Sequence, residues 1–142
     1  MGGIPFSLML PSKIIFLVNG VPRPKGSTQT FFHRGRPITI TASKYGKAWE
    51  KTISRTAKPH FLRPLIPDVP IGIYCKFTFV KGPKSRFLKH MVDTPDIDKL
   101  LRTVLDGLTS IAYVDDRQVV KLSGDKAWGK NPGVYIEVWE EE

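Results

Sequence analysis

The sequence has few of the features that mark secreted, membrane or zinc-binding proteins. Its single cysteine, Cys75, has no disulfide partner within the chain. Its three histidines are too widely spaced for a local zinc pair. No window approaches the roughly 18 consecutive apolar residues of a membrane helix, and no positive residue precedes Lys13 as it would in a secretory signal. We therefore expect a soluble protein of the cytoplasm.

Acidic residues are almost absent from the first two thirds of the chain. Residues 1–92 contain 16 Lys and Arg but only Glu50 and Asp68, whereas residues 93–142 contain six Lys and Arg and 11 acids. Six acids are concentrated within residues 93–116: Asp93, Asp96, Asp98, Asp106, Asp115 and Asp116. Lys and Arg bind phosphates, and carboxylates bind Mg²⁺. This pattern favours a metal-dependent nuclease over the alternative, a basic RNA-associated domain with locally balanced charge.

The length of 142 residues suits one domain, predicted over residues 1–142. Apolar residues predict strands at 14–18, 71–79, 119–122 and 134–139, and the tip of a hairpin at 34–36. Helical spacing at 42–58 and again after Asp96 predicts two main helices. We expect an α+β fold with a mixed or antiparallel sheet of about five strands. We also expect the acidic start of the second helix to meet the Asp115-Asp116 turn at one edge.

Basic residues in three segments are candidates for contact with nucleic acid. They lie in an aromatic-containing arm after the first strand, on one face of the first helix, and in a stretch before the acidic cluster. The candidate DNA-binding residues are Arg23, Lys25, Arg34, Arg36, Lys44, Lys47, Lys51, Arg55, Lys84 and Arg86. The alternative is an ordinary solvated loop and helix face.

The acidic helix offers candidate metal ligands. Asp98, Arg102 and Asp106 recur every four residues and share one row. Asp96 can converge with Asp98 on one metal only from an extended chain or the helix cap. The alternatives are a capping role for Asp96, an ion-pair ladder along the row, and a turn at Asp115 and Asp116.

These segments resemble a known family. The run Asp96-Ile-Asp98-Lys-Leu-Leu-Arg102-Thr-Val-Leu-Asp106-Gly-Leu is followed by Asp115-Asp116-Arg-Gln118-Val119. Together they closely resemble the core motif of the RusA family of Holliday junction resolvases, which reads Asp-x-Asp-Asn-Leu-x-Lys-x-x-x-Asp-Ala-Leu and then Asp-Asp-x-Gln-Val. Upstream, Gly20-Val-Pro-Arg-Pro-Lys25 is similar to the family's Gly-x-Pro-x-Pro-Lys segment. The chain departs from the motif in having Lys99 for the family asparagine and Arg102 for the family lysine.

The resemblance implies a RusA-like homodimeric endonuclease, often encoded by phages and prophages, that resolves branched DNA in recombination and repair. It implies paired nicks in a four-way junction with Mg²⁺, or Mn²⁺ as a substitute. Asp96, Asp98 and Asp116 would be metal ligands with Asp115 beside them, and Arg102 or Lys99 would bind the scissile phosphate. The alternatives are a less selective nuclease of the same fold and a non-catalytic DNA- or RNA-binding domain.

Overall fold

The computed structural model describes residues 13–26, 28–41, 44–65, 67–82 and 89–142. In this part of the chain the elements occur in the order β1 (Ile14–Asn19), β2 (Thr28–His33), β3 (Arg36–Thr41), α1 (Lys44–Ala57), β4 (Ile71–Phe79), α2 (Ile97–Leu108), β5 (Val119–Trp128) and β6 (Gly133–Glu140). The predicted α+β class and both predicted helices are confirmed. None of the described helices is long and apolar enough to cross a membrane.

Four strands form the main sheet, in the order β1-β6-β4-β5. β6 pairs antiparallel with both β1 and β4, whereas β4 pairs parallel with β5, so the sheet is mixed. β2 and β3 form a separate antiparallel hairpin. Its turn contains Arg34 and Gly35, both at positive φ, where glycine is favoured. The strands anticipated from the sequence thus divide between a four-stranded sheet and this hairpin.

The core lies between one face of the sheet and the two helices. Along β4 the side chains of Ile71, Ile73, Cys75, Phe77 and Phe79 are buried, as the period-two pattern predicts. α1 contributes Trp49, Ile53 and Ala57 to this core, and α2 contributes Leu100, Val104 and Leu108. Burial raises the pKa of the Cys75 thiol, so this cysteine is a protonated core residue.

The two helices cross in close contact at Gly107. A Cβ atom at this position would lie 3.0 Å from the Ile53 Cγ2 atom and 3.1 Å from the Glu50 carbonyl oxygen. The Ser54 hydroxyl also donates a hydrogen bond of 2.7 Å to the Gly107 carbonyl oxygen. The basic helix α1 is therefore held directly against the acidic helix α2.

The connection from β4 through α2 to β5 fixes the direction of α2. Because β4 and β5 are parallel, the helix between them runs back from their carboxyl ends to their amino ends. The start of α2 lies beside the end of β5, where the Lys126 ammonium donates hydrogen bonds to the carbonyl oxygens of Asp93 (2.7 Å) and Pro95 (3.0 Å). After α2 the chain returns to the edge of the sheet where β4 and β5 begin. There the side-chain amide of Gln118 donates a hydrogen bond to the carbonyl oxygen of Val69, just before β4.

Candidate active site

Two exposed carboxylates stand at the start of α2. Asp96 is the N-cap residue and has extended backbone angles, φ −70° and ψ 139°. This is the conformation in which we expect Asp96 and Asp98 to converge on one metal ion. Asp96 thus occupies the N-cap position, as the capping alternative predicts, but its side chain makes no capping hydrogen bond and is 62% exposed. Asp98 is exposed in the first helical turn, where the helix dipole favours a negative charge. Both carboxylates are accessible to a cation.

The two candidate phosphate-binding cations also lie along α2. The Lys99 ammonium is 4.0 Å from the Asp96 Oδ2 atom. Arg102 is exposed, and within the described residues its guanidinium forms no ion pair with Asp98 or Asp106. The ion-pair ladder is therefore wrong, and Arg102 remains available to another anion.

Asp115 and Asp116 have different surroundings in the turn before β5. The Asp115 carboxylate accepts a hydrogen bond of 2.9 Å from the Arg117 amide and caps a short 3₁₀ turn at Asp116–Gln118. Asp116 is exposed at the first position of that turn. Asp115 thus has a structural role as a cap, and its role beside the metal stays a prediction.

The structure separates Asp116 from Asp96 and Asp98. They lie near opposite ends of α2, whose 12 residues span about 18 Å at 1.5 Å per residue. The prediction that the two acidic segments meet at one edge within the chain is wrong, because a helix joining two parallel strands places its two ends at opposite edges. In the described parts of the chain, no three or more His, Cys, Asp or Glu side chains form a group that could hold a metal ion.

The donor chemistry of Asp96 and Asp98 nevertheless suits Mg²⁺. This ion prefers hard oxygen ligands and takes one or two carboxylates, with water and substrate phosphate oxygens completing its shell. Two exposed carboxylates two residues apart provide that number of protein ligands. Asp96 and Asp98 therefore provide enough protein ligands for Mg²⁺, and a third carboxylate near the start of α2 is not needed.

An unexpected ion-pair cluster joins the arm after β1 to both helices. The Lys25 ammonium lies 2.6 Å from the Asp106 Oδ2 atom and 3.5 Å from the Glu50 Oε1 atom. The hydrogen bond to Asp106, with the charges of both acids, raises the pKa of Lys25. The Lys25 amide also donates a 3.0 Å hydrogen bond to the Lys99 carbonyl oxygen. Lys25 thus fastens the arm to α2, and its contact with DNA stays a prediction.

We expect Lys25→Gln and Asp106→Asn each to lower the free energy of unfolding by roughly 1 kcal/mol or less, because both side chains are partly exposed. The double variant should lose little more than either single variant, since both remove one interaction. Urea unfolding of the four proteins measures this double-mutant cycle. Additive losses would contradict a direct Lys25–Asp106 interaction.

The remaining basic candidates are mostly exposed. The Arg23 guanidinium lies 5.3 Å from the centroid of the Tyr45 ring, and Arg34 and Arg36 are exposed in the hairpin. Lys47, Lys51 and Arg55 are exposed along α1, as the predicted basic face requires. Lys44 begins α1, but its side chain lies outside the described residues, as do Lys84 and Arg86.

Gln118 is a structural residue that the sequence interpretation missed. Its side chain is buried, and its carbonyl oxygen accepts hydrogen bonds from the amides of Val114 (2.9 Å) and Asp115 (3.0 Å). Its amide group donates to the carbonyl oxygens of Leu65 and Val69. The sequence did contain a signal, because aspartate followed three residues later by glutamine is a capping-box pattern. Gln118 therefore anchors the turn that presents Asp116.

Comparisons with known proteins identify the family of the chain. The family model described as endodeoxyribonuclease RusA matches residues 20–139. A crossover junction endodeoxyribonuclease rusA of Lactococcus phage r1t is 28% identical over 74 residues, which are 51% of this chain and 56% of that protein. The chain thus aligns with little more than half the length of this relative. Because the family model covers nearly all of the chain, including both acidic segments, the protein belongs to the RusA family of endodeoxyribonucleases.

Proposed function

We propose that the protein is a Mg²⁺-dependent endonuclease that resolves four-way DNA junctions by paired symmetric nicks. It would act as a homodimer in DNA recombination and repair, in the cytoplasm of a bacterial or phage-infected cell. The observation that carries this proposal is the pair of exposed carboxylates, Asp96 and Asp98, at the start of α2 within a RusA family chain. The phage relative named as a crossover junction endodeoxyribonuclease supports the substrate class.

In this proposal Asp96 and Asp98 would hold Mg²⁺, with Mn²⁺ as a substitute, whereas Asp116 lies near the other end of α2 and would not reach the same ion within one chain. When bound, the ion supplies charge stabilisation at the scissile phosphate and lowers the pKa of a bound water. Lys99, beside Asp96, and Arg102, one turn later, bind the phosphate oxygens and stabilise their charge. Arg102 can do so bidentately, but it keeps its proton where the family lysine can release one.

The exposed cations would hold the junction arms. Lys47, Lys51 and Arg55 lie along one helix that contacts α2, and the hairpin adds Arg34 and Arg36. Glu50 is the only acid in α1, and its Oε1 atom lies 3.5 Å from the Lys25 Nζ atom. It therefore does not neutralise the exposed cations of α1. Phosphate contacts of this kind bind without reading sequence and weaken as the salt concentration rises.

A cleavage assay tests the proposal. A labelled four-way junction and a linear duplex with the same arm sequences are incubated with the protein in Mg²⁺ or in EDTA. We expect symmetric nicks in the junction only, and only with Mg²⁺. Equal cutting of the duplex would show a less selective nuclease, whereas tight junction binding without cutting in either Mg²⁺ or Mn²⁺ would show a non-catalytic binding domain.

A further inference from the structure

Lys126 lies on the face of the main sheet that the helices cover. It pairs in register with Phe77 of β4, whose side chain is fully buried, and paired residues on neighbouring strands share a face. A cation on this face loses contact with water and needs polar partners in its place. Lys126 is partly buried, and its ammonium donates hydrogen bonds to two backbone carbonyl oxygens. Its surroundings therefore differ from those of an ordinary surface lysine.

The two acceptors belong to the segment that leads into α2. Residues 91–96 lie outside helices and strands, so their backbone groups need partners from elsewhere in the chain. The Lys126 ammonium lies 2.7 Å from the Asp93 carbonyl oxygen and 3.0 Å from the Pro95 carbonyl oxygen. The Pro95 carbonyl is part of the planar peptide group that ends at the Asp96 nitrogen. Lys126 thus holds the backbone directly before a candidate metal ligand.

A second contact fixes α2 against the same strand. A Cβ atom on Gly124 would lie 3.0 Å from the Leu101 Cδ2 atom, so the Leu101 side chain packs directly on the backbone of β5. Gly124 precedes Lys126 by two residues and shares its face of the strand. The packing of Leu101 sets how closely α2 approaches the sheet. The ammonium of Lys126, two residues further along β5, then fastens the segment before the helix.

The carboxylate of Asp96 has few contacts of its own to define its position. It is exposed, makes no capping hydrogen bond, and lies 4.0 Å from the Lys99 ammonium. Metal ligands have to be held within about 0.5 Å of a productive geometry. Residues that hold ligands in place without touching the metal typically contribute about 10–100-fold to metal affinity. The position of the Asp96 backbone therefore matters for any ion bound at the start of α2.

We propose that Lys126 is a positioning residue for the candidate metal site, because its ammonium holds the segment before α2 against the end of β5 and so sets the place of Asp96 beside Asp98. The attachment of the segment stands on the two hydrogen bonds alone. The effect on the metal rests on the function proposed above. Among the described residues the ammonium forms no ion pair with either carboxylate, so Lys126 acts through the backbone.

Hydrogen exchange measured by mass spectrometry on the full chain, without DNA or metal, tests the attachment. Lys126→Met keeps an unbranched side chain but removes the N–H donors. Peptides that cover the start of α2 should exchange about tenfold faster or more, including the Leu100 amide that donates to the Asp96 carbonyl oxygen at 3.1 Å. Lys121→Met makes the same change on an exposed residue of β5 and should exchange like the wild type.

Unchanged exchange at the start of α2 in Lys126→Met would overturn the attachment. Equally faster exchange throughout β4 and β6 would also overturn it, because Lys126 would then contribute to the stability of the whole sheet and not to the placement of one segment. Neither result depends on metal binding or on cleavage.

Binding of Mn²⁺, followed by electron paramagnetic resonance, tests the effect on the metal. Lys126→Met should bind Mn²⁺ about tenfold more weakly than the wild type, and Lys121→Met should bind it equally well. In junction cleavage the Mg²⁺ concentration that gives half the maximal rate should rise by the same factor. The rate at saturating Mg²⁺ should stay within about threefold of the wild-type rate, because excess metal fills the weakened site.

The outcomes distinguish this proposal from the proposed function. A wild type that neither binds Mn²⁺ nor cuts junctions in either metal would refute the proposed function, and the exchange result would still decide whether Lys126 holds the start of α2. If the wild type binds Mn²⁺, Asp98→Asn loses it and Lys126→Met binds it as tightly as the wild type, the positioning role is overturned while the proposed function stands. A lower saturated rate with unchanged metal affinity would overturn the role as well.

Discussion

Asp98→Asn is expected to lower the rate of junction cleavage by about 100-fold or more. A bound metal ion supplies several kcal/mol of charge stabilisation at the phosphate, and each 1.36 kcal/mol corresponds to a tenfold change in rate. Asparagine keeps the size of the side chain but removes the charge that holds the ion. Asp98 is exposed and its carboxylate has no hydrogen bond among the described residues, so the substitution should not lower the free energy of unfolding. Single-turnover cleavage with saturating Mg²⁺ measures the effect.

Junction binding provides the internal control for this variant. Affinity should stay the same or increase, because one negative charge near the phosphates is removed. Asp106→Asn is a matched control variant on the same helix row, where the carboxylate binds Lys25 and lies two turns further from the start of α2. It should keep its cleavage rate. Equal losses of cleavage in Asp98→Asn and Asp106→Asn would indicate a general effect of charge on α2 and would contradict a metal ligand at Asp98.

Gln118→Ala is expected to lower the free energy of unfolding by about 3 kcal/mol. The substitution removes the partner of two backbone amides and two backbone carbonyl oxygens, and a buried polar group without a partner costs roughly 1–3 kcal/mol. Water can reach part of the turn, because Val114 and Asp115 are exposed. The loss should therefore be smaller than the sum of the costs for all four backbone groups. Urea unfolding monitored by circular dichroism measures the loss.

The neighbouring Arg117→Ala is the matched control. Arg117 lies in the same 3₁₀ turn but is exposed, and its 3.7 Å contact with Asp115 is a surface ion pair. Its loss should change stability by no more than about 0.5 kcal/mol. If Gln118→Ala is as stable as Arg117→Ala, the four hydrogen bonds of Gln118 do not anchor the turn. Gln118→Glu keeps the acceptor but places a second, charged oxygen against the buried carbonyl oxygens of Leu65 and Val69, so it should be at least as destabilising as Gln118→Ala.

The regular elements could be predicted because their patterns are local. The alternation of Ile71, Ile73 and Cys75 with polar or small residues reflects burial of one face of β4, and it needs no knowledge of the neighbouring strands. The start of α2 at Ile97 follows from the helical spacing of the apolar residues after Asp96, although the Asp96 side chain makes no capping hydrogen bond. The hairpin tip at Arg34 and Gly35 follows from the turn preference of glycine.

Contacts between distant segments could not be predicted in this way. Lys25, Glu50 and Asp106 meet because the arm after β1 lies across the crossing of α1 and α2. Nothing in the local sequence of Lys25 distinguishes a lysine bound to two acids from a lysine that is free to bind DNA. The packing of α1 against α2 depends on Gly107, because a residue without a Cβ atom leaves room for Ile53 and the Glu50 carbonyl oxygen. These contacts form only when both helices lie on the sheet.

The sequence by itself determined the class of the fold, the two helices and the acidic motif that places the chain in its family. These depend on the residue order and on periodicities of two and 3.6, which are properties of the local chain. The tertiary structure alone decided that Asp96 and Asp98 lie at one edge of the sheet and Asp116 at the other. The physical reason is the parallel pairing of β4 with β5, which forces the helix between them to run from one edge to the other.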